Sequence, residues 1–200
     1  MQKIGLTVTS SAAVAYNRVF VACTDGTSTD GDWVFWGELH CLDEVTGAPI
    51  WNATLAGINE YSSPAVAYGM VFVGSHGNAP DASGYMQAFN ATTGVLVWTY
   101  KIDIGWVISS PAVDAGGVFF GSDDGKLYRL DAFTGNLVWT YQTGGNIRSS
   151  PAVDTEGDWQ GVIVGSEDWF VYALDLAGNF LWRFNTSGPV DSSPALGIHM

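Results

Sequence analysis

The chain has 200 residues, of which 47% are hydrophobic and 14% charged, with 25 Gly, 9 Trp, 8 Tyr and 10 Phe, so it is a core-forming chain rather than a disordered one. Seven Lys plus Arg against 20 Asp plus Glu leave a net charge of −13, which excludes the clustered cations that bind nucleic acid or dock on an anionic membrane. No apolar run approaches the ~20 residues of a membrane helix. The opening MQKIGLTVTS carries no apolar h-region, so neither membrane insertion nor a signal peptide is expected in this chain.

Along the chain one string keeps returning. SSPA starts at Ser62, Ser109, Ser149 and Ser192, and a relative, SSAAV, starts at Ser10. A second string follows each of the first four: LDEVTGAPIW, FNATTGVLVW, LDAFTGNLVW and LDLAGNFLW, ending at Trp51, Trp98, Trp139 and Trp182. The repeat beginning at Ser109 shows the unit plainly. SSPAV forms a short inner strand, Gly116-Gly117 turns, VFFGS alternates as a strand, and Asp123-Asp124-Gly125 turns again. LYRLD returns, Thr134-Gly135 turns, and LVWTY is the fourth strand. Four antiparallel strands per 40 to 52 residues is the period of a β-propeller blade. The fold expected is therefore all-β. Blades are expected at about 9–61, 62–108, 109–148 and 149–191, with 192–200 opening a fifth inner strand, all in one propeller segment.

The pattern SSPAV…VFVGS.DG.LYALD..TG...W.Y resembles the pyrroloquinoline-quinone (PQQ) type propeller repeat over almost the whole chain. That family includes quinoprotein alcohol dehydrogenases and a non-catalytic lipoprotein of the outer-membrane barrel-assembly machinery. The D..TG...W segment is similar to the family's tryptophan-docking motif, which implies that Trp51, Trp98, Trp139 and Trp182 pack between neighbouring blades. Asn90, Ala177 and Ala12 depart from the pattern. The resemblance also implies an extracytoplasmic setting and rings of seven or eight blades. Four blades plus an extra inner strand then read as half of an eight-bladed ring. Two copies closing head to tail, or a fragment of a longer protein, both fit this count; residues 9–14 and 192–197 would compete for one slot in the first case.

Strand order sorts the loops onto two faces. The Thr-Gly turns share one face with the turns after the inner strands. The other face varies in length, from TDGTSTDGDWVFWGE at 24–38 and HGNAPDASG at 76–84 to DDGK and EDWF. Length variation confined to one face marks it as the binding side. It gathers Trp33, Trp36, Trp106 and Trp169 with Asp30, Asp32, Asp124 and Arg148 as candidate ligand or partner residues. Indoles beside carboxylates suit peptides, aromatic ligands or sugars. The competing reading is that the indoles cap their own inserts and the carboxylates are solvated turn residues.

Specific chemistry is sparse. Asp25, Asp30 and Asp32 form a carboxylate-rich stretch that a hard cation such as calcium favours, but without the register of a defined calcium loop. His40, His76 and His199 have no paired spacing. A two-residue turn after Ser122 sets Phe120 opposite Arg129, and so Cys41 opposite Val21 with Cys23 as its diagonal neighbour. Diagonal Cα separations of ~7–8 Å exceed the reach of a disulfide, so two free thiols are expected. Recurrence in every repeat gives the SSPA serines a structural role. The sequons at Asn52, Asn90 and Asn185 fall in or beside the repeat pattern. Under the resemblance a dehydrogenase would carry PQQ and calcium, but the family's adjacent-cysteine disulfide is absent. The expected function is a non-catalytic scaffold for a protein, peptide or glycan partner, with no cofactor. A dehydrogenase fragment binding PQQ and calcium, and a structural surface or adhesion repeat, stand as alternatives.

Overall fold

Short apolar–polar alternations punctuated by Gly and Asx turns leave the chain one economical solution, antiparallel hairpins. A computed structural model describes residues 2–3, 7–29, 32–78, 80–156 and 159–196, with the side chains of 2, 3, 28, 29, 32 and 33 excepted. Every regular element described is a strand. Two compact units form, Met1–Ile108 and Ser109–Met200.

In the first unit, the first sheet contains β1 (Gln2–Lys3), β2 (Ala13–Ala15), β3 (Arg18–Thr29), β4 (Asp32–Asp43) and β5 (Pro49–Thr54). Its order is β1-β3-β4-β5, with β2 also pairing β3. The second sheet is β6 (Ala65–Ala67), β7 (Met70–His76), β8 (Gly84–Asn90) and β9 (Leu96–Ile102), in chain order. The second unit holds two sheets of the same order. They are β10 (Ala112–Asp114), β11 (Gly117–Gly121), β12 (Lys126–Asp131) and β13 (Leu137–Gln142), then β14 (Ala152–Asp154), β15 (Gly161–Gly165), β16 (Phe170–Asp175) and β17 (Phe180–Asn185). These are the antiparallel blades of a β-propeller, four-stranded except that β1 adds a fifth strand to the first.

Two expectations are corrected. Residues 24–29 and 32–38 are strand, not loop: β3 and β4 run on as paired strands from Arg18↔Asp43 to Thr29↔Asp32. The register is also one residue away from that expected, with Phe119 opposite Arg129 and Phe20 opposite Cys41. The reason is the turn, in which Ser122 N–H donates to the Lys126 carbonyl at 3.1 Å and leaves Gly121 to face Leu127. A one-residue slip exchanges faces. Cys23 therefore pairs with Glu38, three positions from Cys41 along β4, and the two thiols lie on opposite faces. Both are buried and neither forms a disulfide. Burial pushes the Cys41 thiol up, and the Arg18 charge opposes that shift.

Within the first unit, Phe20, Ala22, Leu39 and Cys41 pack on Val71, Val73, Phe89 and Ala91. Within the second, Phe119, Leu127 and Ile147 pack on Val162, Val164, Tyr172 and Leu174. Each large side chain so buried contributes about 1.5–3 kcal/mol.

The recurrent strings explain themselves in hydrogen bonds. The first serine of each repeat staples the inner strand to its neighbour. Ser10 Oγ donates to the Ala22 carbonyl at 2.7 Å, Gly74 N–H donates to Ser62 Oγ at 2.9 Å, and Gly165 N–H to Ser149 Oγ at 3.1 Å. The second serine links successive repeats: Ser11 N–H to Ser63 Oγ at 2.8 Å, Ser110 to Ser150 at 2.9 Å, and Ser150 to Ser193 at 3.0 Å.

The docking tryptophans form a second link. Trp51 Nε1 donates to the Ala91 carbonyl at 3.3 Å, and Trp139 Nε1 to the Leu176 carbonyl at 3.0 Å. Each ring lies on a turn glycine of the following sheet. A Cβ on Gly94 would meet the Trp51 ring at 2.7 Å, and one on Gly178 would meet the Trp139 ring at 2.8 Å. Trp98 is 8% exposed, whereas Trp182, in the last described sheet, is 43% exposed.

The Asp-x-x-Thr-Gly turns are Asx caps. Asp131 Oδ1 accepts from Thr134 Oγ1 at 2.9 Å, Thr134 N–H at 2.8 Å and Phe133 N–H at 3.1 Å. These bonds, with the Thr134 hydroxyl first, hold the Asp131 carboxyl below its usual range, and Thr46 does the same for Asp43. A carboxylate whose folded pKa is depressed stabilises the fold above its unfolded value near 4 and loses that contribution as pH falls through the folded pKa. Asn90 makes the equivalent cap without a charge. Replacing Asp43 and Asp131 by Asn is therefore expected to flatten the acid limb of a stability–pH curve below about pH 4. An unchanged limb, followed by urea denaturation, would contradict this.

Candidate functional site

The variable face of the first unit contains a cleft of about 410 Å³ between the long β3–β4 ribbon and the segment that leads from β5 to the next inner strand. Close backbone contacts seat that segment. Gly37 N–H donates to the Gly57 carbonyl at 2.9 Å, while Ile58 and His76 exchange backbone hydrogen bonds at 2.8 and 3.0 Å. Ile58, Tyr61 and Phe35 supply apolar walls; Thr7, Thr9, Thr24 and Asn78 supply hydroxyls and an amide, and Glu60 a carboxylate.

Asn59 anchors the floor and is fully buried. Its Nδ2 donates to the carbonyls of Ser62 at 3.0 Å and Gly74 at 2.8 Å, and Thr24 Oγ1 donates to the Asn59 carbonyl at 2.7 Å. Its Oδ1 has no hydrogen-bond partner among the described residues. A buried acceptor left open costs about 1–3 kcal/mol until a donor reaches it. Tyr61 is 61% exposed and held at φ 72, with its N–H on Thr9 Oγ1 at 3.1 Å. A bulky residue in the left-handed region is strained, and such strain concentrates at binding sites.

Behind the cleft, the buried His76 ring stacks on Trp106 at 4.3 Å and 19°. His76 Nδ1 lies 3.1 Å from the Gly77 carbonyl, and Nε2 lies 3.6 Å from Glu60 Oε2. Trp106 is thus committed to a packing contact. Trp36 pairs with Asp25 and donates its Nε1 to Glu38 Oε1 at 3.1 Å, and the other Glu38 oxygen lies 3.1 Å from His40 Nε2. Strand alternation puts Trp36 and Phe35 on opposite faces of β4, and it is Phe35 that lines the cleft. Asp30 and the side chains of Asp32 and Trp33 lie outside the described residues. Of the calcium candidates, Asp25 is buried within β3 with Oδ1 accepting from Gly26 N–H at 2.8 Å. Among the described residues no group of three or more His, Cys, Asp and Glu converges as a metal site requires.

In the second unit Arg148 forms a two-toothed pair with Asp123, at 3.0 and 3.1 Å, and reaches Glu167 at 3.3 Å. The Asp123 hydrogen bond is the main cause that raises the Arg148 pKa further. Asp124 accepts from Tyr128 Oη, Lys126 N–H and Lys126 Nζ, so it is tied into its own turn. Asp168 repeats that role, accepting from Tyr172 Oη at 2.6 Å and Gly144 N–H at 2.7 Å. Burial, and then the Asp168 bond, raise the Tyr172 pKa. Trp169 is 51% exposed at φ 76, where the preceding sheet has Gly125 at φ 79. Tyr61 and Arg148 share one place in the repeat, immediately before SSPA, which Ile108 and Asp191 occupy elsewhere.

Three likenesses bear on this architecture. The outer membrane protein assembly factor BamB of Shewanella oneidensis is 31% identical over 118 residues, 55% of this chain and 28% of that protein. Among solved structures, the quinohemoprotein alcohol dehydrogenase ADHIIG of Pseudomonas putida HK5 superposes with a TM-score of 0.70 at 20% identity, over 87% of this chain and 34% of that one. BamB from Moraxella catarrhalis gives 0.63 at 18% identity, over 92% of this chain and 66% of that one. The chain thus spans about a third of the first two proteins, and the structural likenesses establish the fold. The family description "Outer membrane protein assembly factor BamB" matches residues 7–105 and 82–197, and a match of that extent makes the chain a member of the BamB-type PQQ-repeat propeller family.

Proposed function

We propose that this propeller is a non-catalytic interaction module whose cleft holds an extended segment of a protein partner. The observation that carries the reading is the cleft itself: a strained, exposed Tyr61 and an exposed Phe35 line it, and Asn59 is fixed and buried by its bonds to the Ser62 and Gly74 carbonyls. An extended peptide's side chains meet the two aromatic walls, and its backbone meets the hydroxyls and amide of Thr7, Thr9, Thr24 and Asn78. The assembly-factor relatives support a protein as the ligand class. A glycan is the second class that the hydroxyl-and-amide lining accepts. The same reading includes association of the propeller with further blades, in a second copy or in a larger ring.

The dehydrogenase alternative requires a site for PQQ and calcium. The family's adjacent-cysteine pair has no counterpart in Cys23 and Cys41, which lie on opposite faces of one sheet. A structural surface or adhesion role predicts no dependence on the cleft at all.

The test uses a labelled strand-length peptide of alternating apolar and polar residues, read by fluorescence anisotropy. Phe35→Ala and Tyr61→Ala are each expected to weaken binding ten- to a hundred-fold, about 1–3 kcal/mol, with the fold intact. Equal binding by both variants would contradict the proposal. Saturable quenching of tryptophan fluorescence by PQQ that requires calcium would favour the alternative.

A further inference from the structure

One charge stands in the cleft of the first unit. Among the described residues that line it only Glu60 is ionic, the rest being apolar, hydroxyl or amide side chains. Its backbone is pinned on both sides. Asn59 N–H donates to Thr24 Oγ1 at 3.1 Å, and Tyr61 N–H to Thr9 Oγ1 at 3.1 Å. The Glu60 side chain therefore starts from a fixed point, next to the exposed Tyr61 ring, and is itself 46% exposed.

No described Lys or Arg of the unit answers this carboxylate. Arg18 Nη1 donates to the Ala91 carbonyl at 2.6 Å, and Lys101 Nζ lies 3.7 Å from Asp103. The ionisable neighbour is His76, whose Nε2 lies 3.6 Å from Glu60 Oε2, outside hydrogen-bond reach. That gap has a chemical reason. His76 Nδ1 lies 3.1 Å from the Gly77 carbonyl, which can only accept, so Nδ1 carries the ring proton. In an uncharged ring Nε2 is then a lone pair, and it faces a second acceptor. The stack on Trp106 at 4.3 Å keeps the ring from turning away, and Nε2 has no hydrogen-bond partner among the described residues. Glu60 thus brings a negative charge to the cleft that the described side chains around it do not offset.

We propose that the segment held in the cleft presents a basic side chain to Glu60, with the Phe35 and Tyr61 rings beside it. This rests on the cleft reading above and names the chemistry by which the partner is selected. Arginine has the better shape of the two basic residues, because its planar fork takes a carboxylate through paired N–H donors and also lies flat on aromatic rings. Glu60 is then a specificity-determining residue, and an acidic segment is turned away.

Fluorescence anisotropy on the 200-residue chain tests this at pH 8, where histidines are ordinarily uncharged. Three labelled strand-length peptides differ at one central position, which holds arginine, its uncharged isostere citrulline, or glutamate. In low salt the arginine peptide is expected to bind roughly five- to tenfold more tightly than the citrulline peptide, and the glutamate peptide more weakly than either. Glu60→Gln should cut the arginine advantage to about twofold or less. Glu44→Gln, which removes an exposed carboxylate of the same unit outside the cleft, should leave the advantage unchanged. Glu60→Lys should favour the glutamate peptide instead. Equal binding of the arginine and citrulline peptides, or an advantage that Glu60→Gln leaves intact, would overturn the proposal. Phe35→Ala separates the two ideas. Equal binding that this variant still weakens overturns the charge preference and leaves the cleft reading standing, whereas failure of all three peptides to bind overturns both.

Discussion

Gly94→Ala is expected to destabilise the fold by about 1–3 kcal/mol more than Gly47→Ala, although the two glycines sit at nearly the same φ, +72 and +68. Both substitutions place a Cβ in the left-handed region, a cost of roughly 1–2 kcal/mol that cancels in the comparison. Only at Gly94 does the new Cβ also meet the Trp51 ring, at 2.7 Å from two of its carbons. The ring cannot retreat freely, because its Nε1 is bonded to the Ala91 carbonyl and its other side lies against Phe20 at 5.9 Å between centroids. Urea denaturation in dilute solution reads the difference as a shift in midpoint at constant slope. Equal losses at the two sites would show that the indole–glycine contact adds nothing beyond backbone strain.

Trp139→Ala should cost about 3–5 kcal/mol, the range for deleting a large buried ring. Trp139 packs on the core of the second unit, touches Phe119 with centroids at 6.0 Å, and caps the Gly178 turn. Its loss leaves a cavity on one side and removes one of two donors to the Leu176 carbonyl on the other, the Arg129 Nη1 bond remaining. Trp182→Ala, at the same place in its repeat but 43% exposed, should cost a dilute chain only about 0.5 kcal/mol. Thermal denaturation of both variants decides this. Similar losses would mean that the indole stabilises its own sheet rather than the junction with the next.

The contrast between those two tryptophans also shows what the sequence could and could not convey. Each repeat ends in the same Trp, whose docking role was implied by the family resemblance and not by spacing, whereas the short strands were readable from the repeat itself. The register was not. A turn one residue different in closure moved Cys41 from the side of Cys23 to the opposite face, because strand side chains alternate with period two. The same alternation decides between Phe35 and Trp36, adjacent in sequence and on opposite faces of β4. Choosing the larger indole as the ligand contact passes over the ring that lines the cleft. Residues 24–38 read as a loop from their Asp, Gly and Thr content, yet pairing across the ribbon makes 24–29 and 32–38 strand. Tyr61 had a usable signal: the residue before SSPA differs in every repeat, Tyr61, Ile108, Arg148 and Asp191, while its neighbours recur. What the sequence alone does not convey is the φ of 72 at Tyr61, which arises from tertiary bonds to Thr9 and from the tight passage of Gly57 beside His76.

The most direct test of the central claim is a residue-resolved map of where the strand-length peptide binds, obtained by titrating it into isotope-labelled chain and following amide chemical shifts. Saturable shifts centred on Phe35, Ile58, Asn59 and Tyr61 are the predicted result. Shifts centred on the Thr46 and Thr93 turns of the same unit, with the cleft residues unmoved, would contradict it.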